Sequence, residues 1–379
     1  MYTQKDPAVI HKIREMGLQA FCDAYHIDQK EDEGLISLKY SMAESPMDLD
    51  FVQDCRGLIV RASDPTKLVA MPYRKFFNLG DMKAAPIHWA SARAMEKLDG
   101  SLMILYFNRE VDEWCVATSG HPTAGGPYND CVEFQRFRDA FWGTFEDLGY
   151  TLPERPLHDL DEVWYFFELC RPDNRIVVKY ERPRLVLHGA RRRLDLLELS
   201  EDELVAHAIQ YDWELVTSHP VEDLGPESVQ FAAAATDPLG LEGFVVIDRH
   251  HNRIKVKNPR YVEIHYLRGN RSPRAVVDLV KAGEVDEILA HFPELAPDFD
   301  RVTMGLASAS QMLESVWKEF KHLPRPEFAK AVKECTFSAV VFRMHSTPPV
   351  SDANIGEVIR GIMLSLSTPA ILRGLKLKD

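Results

Sequence analysis

The sequence holds no run of about 18 uncharged apolar residues, so nothing in it reads as a membrane-spanning helix. The N-terminus, with Lys5, Asp6, His11, Lys12 and Arg14, lacks the apolar stretch of a secretory signal, and a cytoplasmic protein with no membrane partner is expected. Cysteine is sparse: Cys22, Cys55, Cys115, Cys131, Cys170 and Cys335 are scattered, with no Cys-x-x-Cys pair and no zinc-type Cys/His spacing. That pattern supports neither a disulfide framework nor structural zinc, and reduced thiols are expected. Positive charge is not in excess either. Against 58 acidic residues there are 45 Lys and Arg, a net charge of −13, which argues against a general nucleic-acid coat while leaving room for a local basic groove.

What is present is ample apolar material. With 379 residues, 45% of them hydrophobic, the chain has the size of two packed domains. Ile10, Ile13, Gly17 and Phe21 predict an opening helix that ends before the acidic stretch Asp28 to Glu33. Leu35 to Tyr40 and Asp54 to Val60 read as strands, with Lys67 to Ala70 returning on the second as a hairpin. Arg74-Lys75-Phe76-Phe77 sets two cations beside two aromatics, a combination suited to phosphate and base, although adjacent Phe residues equally serve a core.

The focal stretch is Glu96-Lys97-Leu98-Asp99-Gly100-Ser101, followed by the apolar run Leu102 to Phe107. It predicts an amine held at a tight turn against a sheet, with Asp-Gly bending the backbone. Phe134, Phe137, Phe141 and Phe145 mark a helix with a core-facing aromatic side. Trp164 to Leu169 is a buried strand carrying one carboxylate, Glu168, which among aromatics must be ion-paired or await a ligand. Leu185 to Ala190 is a further strand, and Arg191-Arg192-Arg193 after it reads as a solvated turn. Glu242 stands at the mouth of the strand Gly243 to Ile247, which pairs as a hairpin with Arg253-Ile254-Lys255-Val256-Lys257. Period two puts Arg253, Lys255 and Lys257 on one face.

Lys97-x-Asp99-Gly100, Phe167-Glu168, Glu242-Gly243 and Lys255-x-Lys257, in that order, resemble the nucleotidyltransferase motifs of ATP-dependent polynucleotide ligases and RNA capping enzymes. Cys55-Arg56-Gly57, Lys75-Phe76-Phe77-Asn78-Leu79, Pro172 with Asn174-Arg175-Ile176-Val177, and Tyr261-Val262 narrow the resemblance to the phage-type RNA ligase 1 family, from about Tyr40 to His265. The resemblance implies an α+β nucleotidyltransferase domain of antiparallel sheets and flanking helices over residues 1–264. It implies an ATP-dependent RNA ligase that joins 5′-phosphate and 3′-hydroxyl RNA ends through lysyl-AMP and an adenylated RNA end, in repair of RNA such as nicked tRNA. Lys97 is the implied nucleophile, with Asp99 near the reacting groups or shaping the turn. Lys255 and Lys257 disfavour the Lys97 proton and neutralise phosphate. By the same resemblance Arg56, Lys75 and Tyr40 are expected to bind the outer phosphates, Glu168 the ribose, and Glu242 the nucleotide or its metal. ATP is the cosubstrate and magnesium, with manganese as the alternative, the implied ion; Asp99, Glu168 and Glu242 are its candidate ligands. The family's reference members carry Lys-Gly where this chain has Ser119-Gly120, with His121 as the expected stand-in.

Beyond His265 the pattern turns helical: Val276, Val277, Leu279 and Val280; Val285, Ile288 and Leu289; Met312, Leu313, Val316 and Phe320; Ile359, Ile362, Met363 and Leu366. Pro273, Pro293, Pro297, Pro324, Pro326, Pro348, Pro349 and Pro369 punctuate it, and Arg373 to Lys378 is basic. An all-α C-terminal domain over 265–379 is expected, serving RNA specificity by resemblance or packing alone. Two other classes stay open: a DNA ligase or GTP-using capping enzyme, against which the absence of an OB-fold pattern counts, and a catalytically silent RNA-binding relative. No protein partner is implied. An RNA groove lined by Arg171, Arg175, Lys179 and Arg191 to Arg193 is expected.

Overall fold

The computed structural model describes residues 6–42, 44–128, 134–158, 161–220, 225–270, 272–283, 285–347 and 354–377; Lys5, Cys131, Pro348, Pro349 and Lys378, singled out above, lie outside them. Two compact units divide the chain, Met1–Tyr261 and Val262–Asp379.

The strands of the first unit are β1 (Ile27–Asp32), β2 (Leu35–Tyr40), β3 (Arg56–Arg61), β4 (Leu68–Ala70), β5 (Phe77–Asn78), β6 (Arg93–Glu96), β7 (Ser101–Asn108), β8 (Glu113–Thr118), β9 (Val163–Cys170), β10 (Arg184–Arg192), β11 (Glu214–Leu215), β12 (Ser218–Pro220), β13 (Gly243–Ile247) and β14 (Arg253–Lys257). They form a first sheet β1-β2-β3-β4, a central sheet β11-β10-β9-β7-β8 and a third sheet β12-β6-β13-β14-β5. Pairing is antiparallel apart from the two-residue edge strands β5 and β11, which run parallel to β14 and β10. The α+β class holds, with mixed rather than wholly antiparallel sheets.

Side-chain alternation explains the layering. Along β9, Trp164 and Phe166 join the core of the first sheet, whereas Tyr165, Phe167 and Leu169 face the helix Phe137–Asp147. Glu168 follows on the Trp164/Phe166 side, one step beyond that core. The helix buries Ala140, Phe141, Thr144 and Phe145. Phe141 meets Phe167 with centroids 6.0 Å apart, and full burial of such a ring contributes about 1.5–3 kcal/mol. Phe134, expected on the same helix, precedes it and lies under the Arg171 guanidinium at 4.7 Å.

Two local expectations are corrected, and one element is added. The opening helix is two helices, Ala8–Met16 and Leu18–Tyr25, broken at Gly17, whose φ of 82° leaves the helical region. The acidic stretch after it is strand β1; as an edge paired only with β2, it turns its charges to water and so discourages pairing with other chains. Lys97 to Gly100 is not a tight turn on one sheet: β6 and β7 lie in different sheets, and the segment crosses from the third to the central one.

The second unit is helical throughout its described residues, from Pro273–Ala282 to Thr368–Leu375. Pro273, Pro297, Pro326 and Pro369 all occupy first-turn positions, where a missing N–H costs nothing. In the long helix Ala296–Phe320 the buried stripe is Phe299, Val302, Leu306, Ser310, Leu313 and Trp317, which leaves Met312 half exposed rather than in the core. Among the described residues no single helix is long and apolar enough to cross a membrane.

Candidate active site

Lys97 leaves β6 with its N–H donating to the Gly243 carbonyl at 2.8 Å, which docks it against the first residue of β13. Asp99 then turns inward. It is 2% exposed, its Oδ2 accepts the N–H groups of Val177 and Val178 at 2.7 Å each, and its Oδ1 accepts the Tyr261 hydroxyl at 2.6 Å. Both oxygens are thus turned into the protein, so Asp99 holds the loop after β9 to the end of the first unit, and the geometry gives it no metal-facing atom. Gly100 is required by close approach: a Cβ there would lie 2.4 Å from the Leu169 carbonyl oxygen.

Two carboxylates approach Lys97 from different sheets. Glu242, 3% exposed, bridges two ammonium groups: Oε2 accepts a short hydrogen bond from Lys97, and Oε1 pairs with Lys257 at 2.7 Å. Burial alone would raise its pKa, but Lys97 and Lys257 together hold it below the usual carboxylate range. Among the described residues no lysine pairs with Glu168. Its Oε1 accepts the Gly100 N–H at 3.2 Å, and its Oε2 lies 3.6 Å from His188 Nε2. Burial pushes its carboxyl up to about 7, against the pull of Lys97.

The cations converge on one cleft of about 240 Å³, whose walls include Arg56, Phe76, Lys97, Glu168, His188 and Lys255. Arg56 and Lys255 both sit over the Phe76 ring, at 5.3 and 4.9 Å from its centroid. Burial, then Arg56 and the neighbouring lysines, lower Lys255 to about 7. Lys75 stands over Tyr40 and Phe77 at 5.4 and 5.6 Å, its pKa lowered by burial and by Arg56. Burial raises Tyr40, with Arg56 opposing. Of the nine sequence candidates, Arg56, Lys97, Glu168 and Lys255 line the cleft, Glu242 and Lys257 extend it behind the Lys97 ammonium, and Tyr40 and Lys75 flank Arg56.

Between the central and third sheets runs a buried ion chain. Glu198 accepts from Arg191 of β10 at 3.0 Å and from Arg253 of β14 at 3.0 Å and by a second, short bond. It fixes the two cleft walls to each other. The expected solvated turn at Arg191 to Arg193 is therefore corrected: Arg191 and Arg193 are both 7% exposed, and Arg193 lies on the Trp164 ring. The expected RNA groove fails with it, since Arg171 is also buried and ion-paired to Asp173, Arg192 pairs with Glu203, and Arg175 donates to the Val177 carbonyl. Lys179 alone of that set is exposed. His121 is not the stand-in at Ser119 either. Its Nδ1 accepts the Gly125 N–H at 3.2 Å and lies 3.9 Å from Asp32, while the cation beside Gly120 is Lys39, whose Nζ lies 3.8 Å from where a Gly120 Cβ would be. Tyr73, His188 and Arg253 also line the cleft and were not singled out as site residues; the signal was a histidine followed by glycine inside an apolar strand.

Residues 54–261, more than half of the chain, match the sequence pattern of the RNA ligase family. The chain belongs to the phage-type RNA ligase family. With that membership goes RNA ligase activity. An RNA ligase of Rhodothermus phage RM378 is 26% identical over 336 residues, covering 72% of this chain and 74% of that one. A protein of Autographa californica nuclear polyhedrosis virus, named for bifunctional polynucleotide kinase and RNA ligase activity, is 27% identical over 299 residues; the match covers 74% of this chain but only 41% of the viral one. The solved structure of an archaeal ATP-dependent RNA ligase is 14% identical with a TM-score of 0.45, covering 98% of this chain and 81% of that one.

Proposed function

We propose that this RNA ligase takes AMP from ATP onto Lys97, passes it to the 5′-phosphate of an RNA end, and seals that end to a 3′-hydroxyl, in repair of broken RNA such as nicked tRNA. The carrying observation is the Lys257–Glu242–Lys97 chain opening into a cleft lined by Arg56 and Lys255. A lysine attacks phosphorus only as a neutral amine. The Lys97 proton leaves along its hydrogen bond to Glu242. The Nζ–P bond forms, the bond from the α-phosphorus to the bridging oxygen breaks, and pyrophosphate departs with its charge met by Arg56, Lys75 and Lys255. Asp99 serves by holding the Lys97 segment in place.

Among the described residues no three metal-ligating side chains cluster. Both oxygens of Asp99 and both oxygens of Glu242 are already engaged by protein groups, which suits an ion held chiefly by phosphate oxygens and water, as magnesium is. When bound, such an ion neutralises charge on the phosphates.

Incubation with radiolabelled ATP or GTP and magnesium, followed by denaturing electrophoresis and intact mass, tests the reading. An acid-labile AMP adduct is expected from ATP, absent in Lys97→Ala. Label from GTP alone would move the assignment to capping chemistry; no adduct with either nucleotide after pyrophosphatase treatment would leave RNA binding as the function.

A further inference from the structure

Strand β10 pairs with β9 as Val186 with Glu168, Leu187 with Phe167, then Gly189 with Phe166, so His188 is the extra residue of a β-bulge. A regular strand would send consecutive residues to opposite faces; the bulge puts His188 and Gly189 together on the side of Glu168 and Phe166. The room at Gly189 is taken by Tyr73, whose hydroxyl oxygen lies 1.7 Å from where a Gly189 Cβ would be. Tyr73, buried beneath Arg253 and against Phe166, donates its hydroxyl to the His188 carbonyl at 2.9 Å and meets His188 Nδ1 at 3.1 Å. With its one proton given to the carbonyl, the hydroxyl accepts at Nδ1, which fixes the Nδ1–H tautomer. Nε2 is then a bare acceptor, buried, without a hydrogen-bond partner, on the cleft wall 3.6 Å from Glu168 Oε2.

With Glu168 ionised, two acceptors side by side at that distance repel each other, and donors that reach both from the open cleft relieve the mismatch. Glu168 Oε1 is already occupied by Gly100, so Oε2 and Nε2 form the open pair. We infer that His188 and Glu168 together form a two-acceptor clamp for the vicinal ribose hydroxyls of the nucleotide, one hydroxyl donating to each. The inference rests on the reading of Glu168 as the ribose contact and adds His188 as a specificity-determining residue. Tyr73 positions the ring, and Gly189 makes Tyr73 fit.

The test compares the KM of the adenylation step for ATP, 2′-deoxy-ATP and 3′-deoxy-ATP in the wild type, His188→Leu, His188→Asn, Glu168→Gln and Tyr73→Phe, with thermal unfolding as the folding check. Wild type is expected to prefer ATP over both deoxy analogues by about five- to tenfold each, the size of one lost hydrogen bond. His188→Leu and His188→Asn should lose the preference against one analogue and keep it against the other. Glu168→Gln should weaken the opposite one, and Tyr73→Phe should follow His188→Leu with a smaller change. If the His188 variants raise KM equally for all three nucleotides, or leave the preferences intact while Glu168→Gln changes one, the clamp is overturned and Glu168 alone reads the ribose. Preferences untouched by Glu168→Gln would overturn the ribose reading of Glu168 itself.

Discussion

Glu242, at the mouth of the third sheet, and Glu168, on the central sheet, serve one cleft in opposite electrostatic conditions. Glu242 is held below the carboxylate range by two lysines, while Glu168, whose polar contacts among the described residues are a backbone N–H and a histidine, is pushed up to about 7 by burial. The Glu168 side chain is the more exposed, 17% against 4% for Glu242, yet it is the one pushed up; their partners make the difference. The difference sorts two tasks that a nucleotidyl-transfer site must perform. A carboxylate among lysines manages the charge and proton of the nucleophile, whereas one left short of cations suits the uncharged hydroxyls of a sugar.

The sharpest way to break the comparison is to remove the bridging charge. Glu242→Ala leaves the Lys97 and Lys257 ammonium groups without their shared counter-charge and takes away the proton's path. Single-turnover adenylation is expected to fall at least about 100-fold at saturating ATP. Glu168→Ala should act mainly on KM for ATP. Equal losses in the single-turnover rate constant for the two variants would erase the division of labour.

A pH series sharpens it further. Glu168 has a folded pKa near 7 against an ordinary 4.5, so its contribution to stability is present below about pH 4.5 and is lost as pH rises through 7. Lys255 is depressed from 10.5 to about 7, so its contribution is present above about pH 10.5 and is lost as pH falls through 7. The ligand-free cleft is thus least favourable near neutrality, where a polyanionic nucleotide is best able to relieve it. Melting curves should show the Tm difference between wild type and Lys255→Met rising by about 2–4 °C from pH 7 to 10, and that between wild type and Glu168→Gln falling from pH 4.5 to 7. Flat differences would mean that the cleft is better solvated than its geometry implies.

The same contrast explains what was readable in advance. Glu168, Glu242, Lys255 and Lys257 are polar residues set into short apolar strands, and period two together with hairpin spacing announces which face they share. The C-terminal helices were equally plain from their apolar spacing. Partnerships across long separations were not. Tyr73 and His188 are 115 positions apart, and their meeting depends on a bulge that sequence periodicity does not show. Arg191 and Arg193 looked like a solvated cluster because Glu198 and the Trp164 ring, which make their burial tolerable, are brought in by the fold. Asp99 was visible as a motif residue, but its attachments to Val177, Val178 and Tyr261 depend on chain crossing that local spacing does not encode.

The smallest expected effect concerns the rim of the cleft and the departure at Ser119-Gly120. Lys39 pairs across the first sheet with Arg56, so the two side chains share a face, and its ammonium reaches the backbone at Gly120 from β2. A cation of β2 thereby stands beside Gly120. Lys39 is exposed, so water screens its charge and the contribution is modest. Lys39→Ala is expected to raise KM for ATP about three- to fivefold with little change in the rate constant at saturation, as loss of a uniform binding contact does. Ser119→Lys added to that variant should restore most of the affinity, since it returns a positive charge to the same rim from β8's side. A double variant no better than Lys39→Ala would mean that the Lys39 contact depends on its approach from β2 rather than on charge at that position.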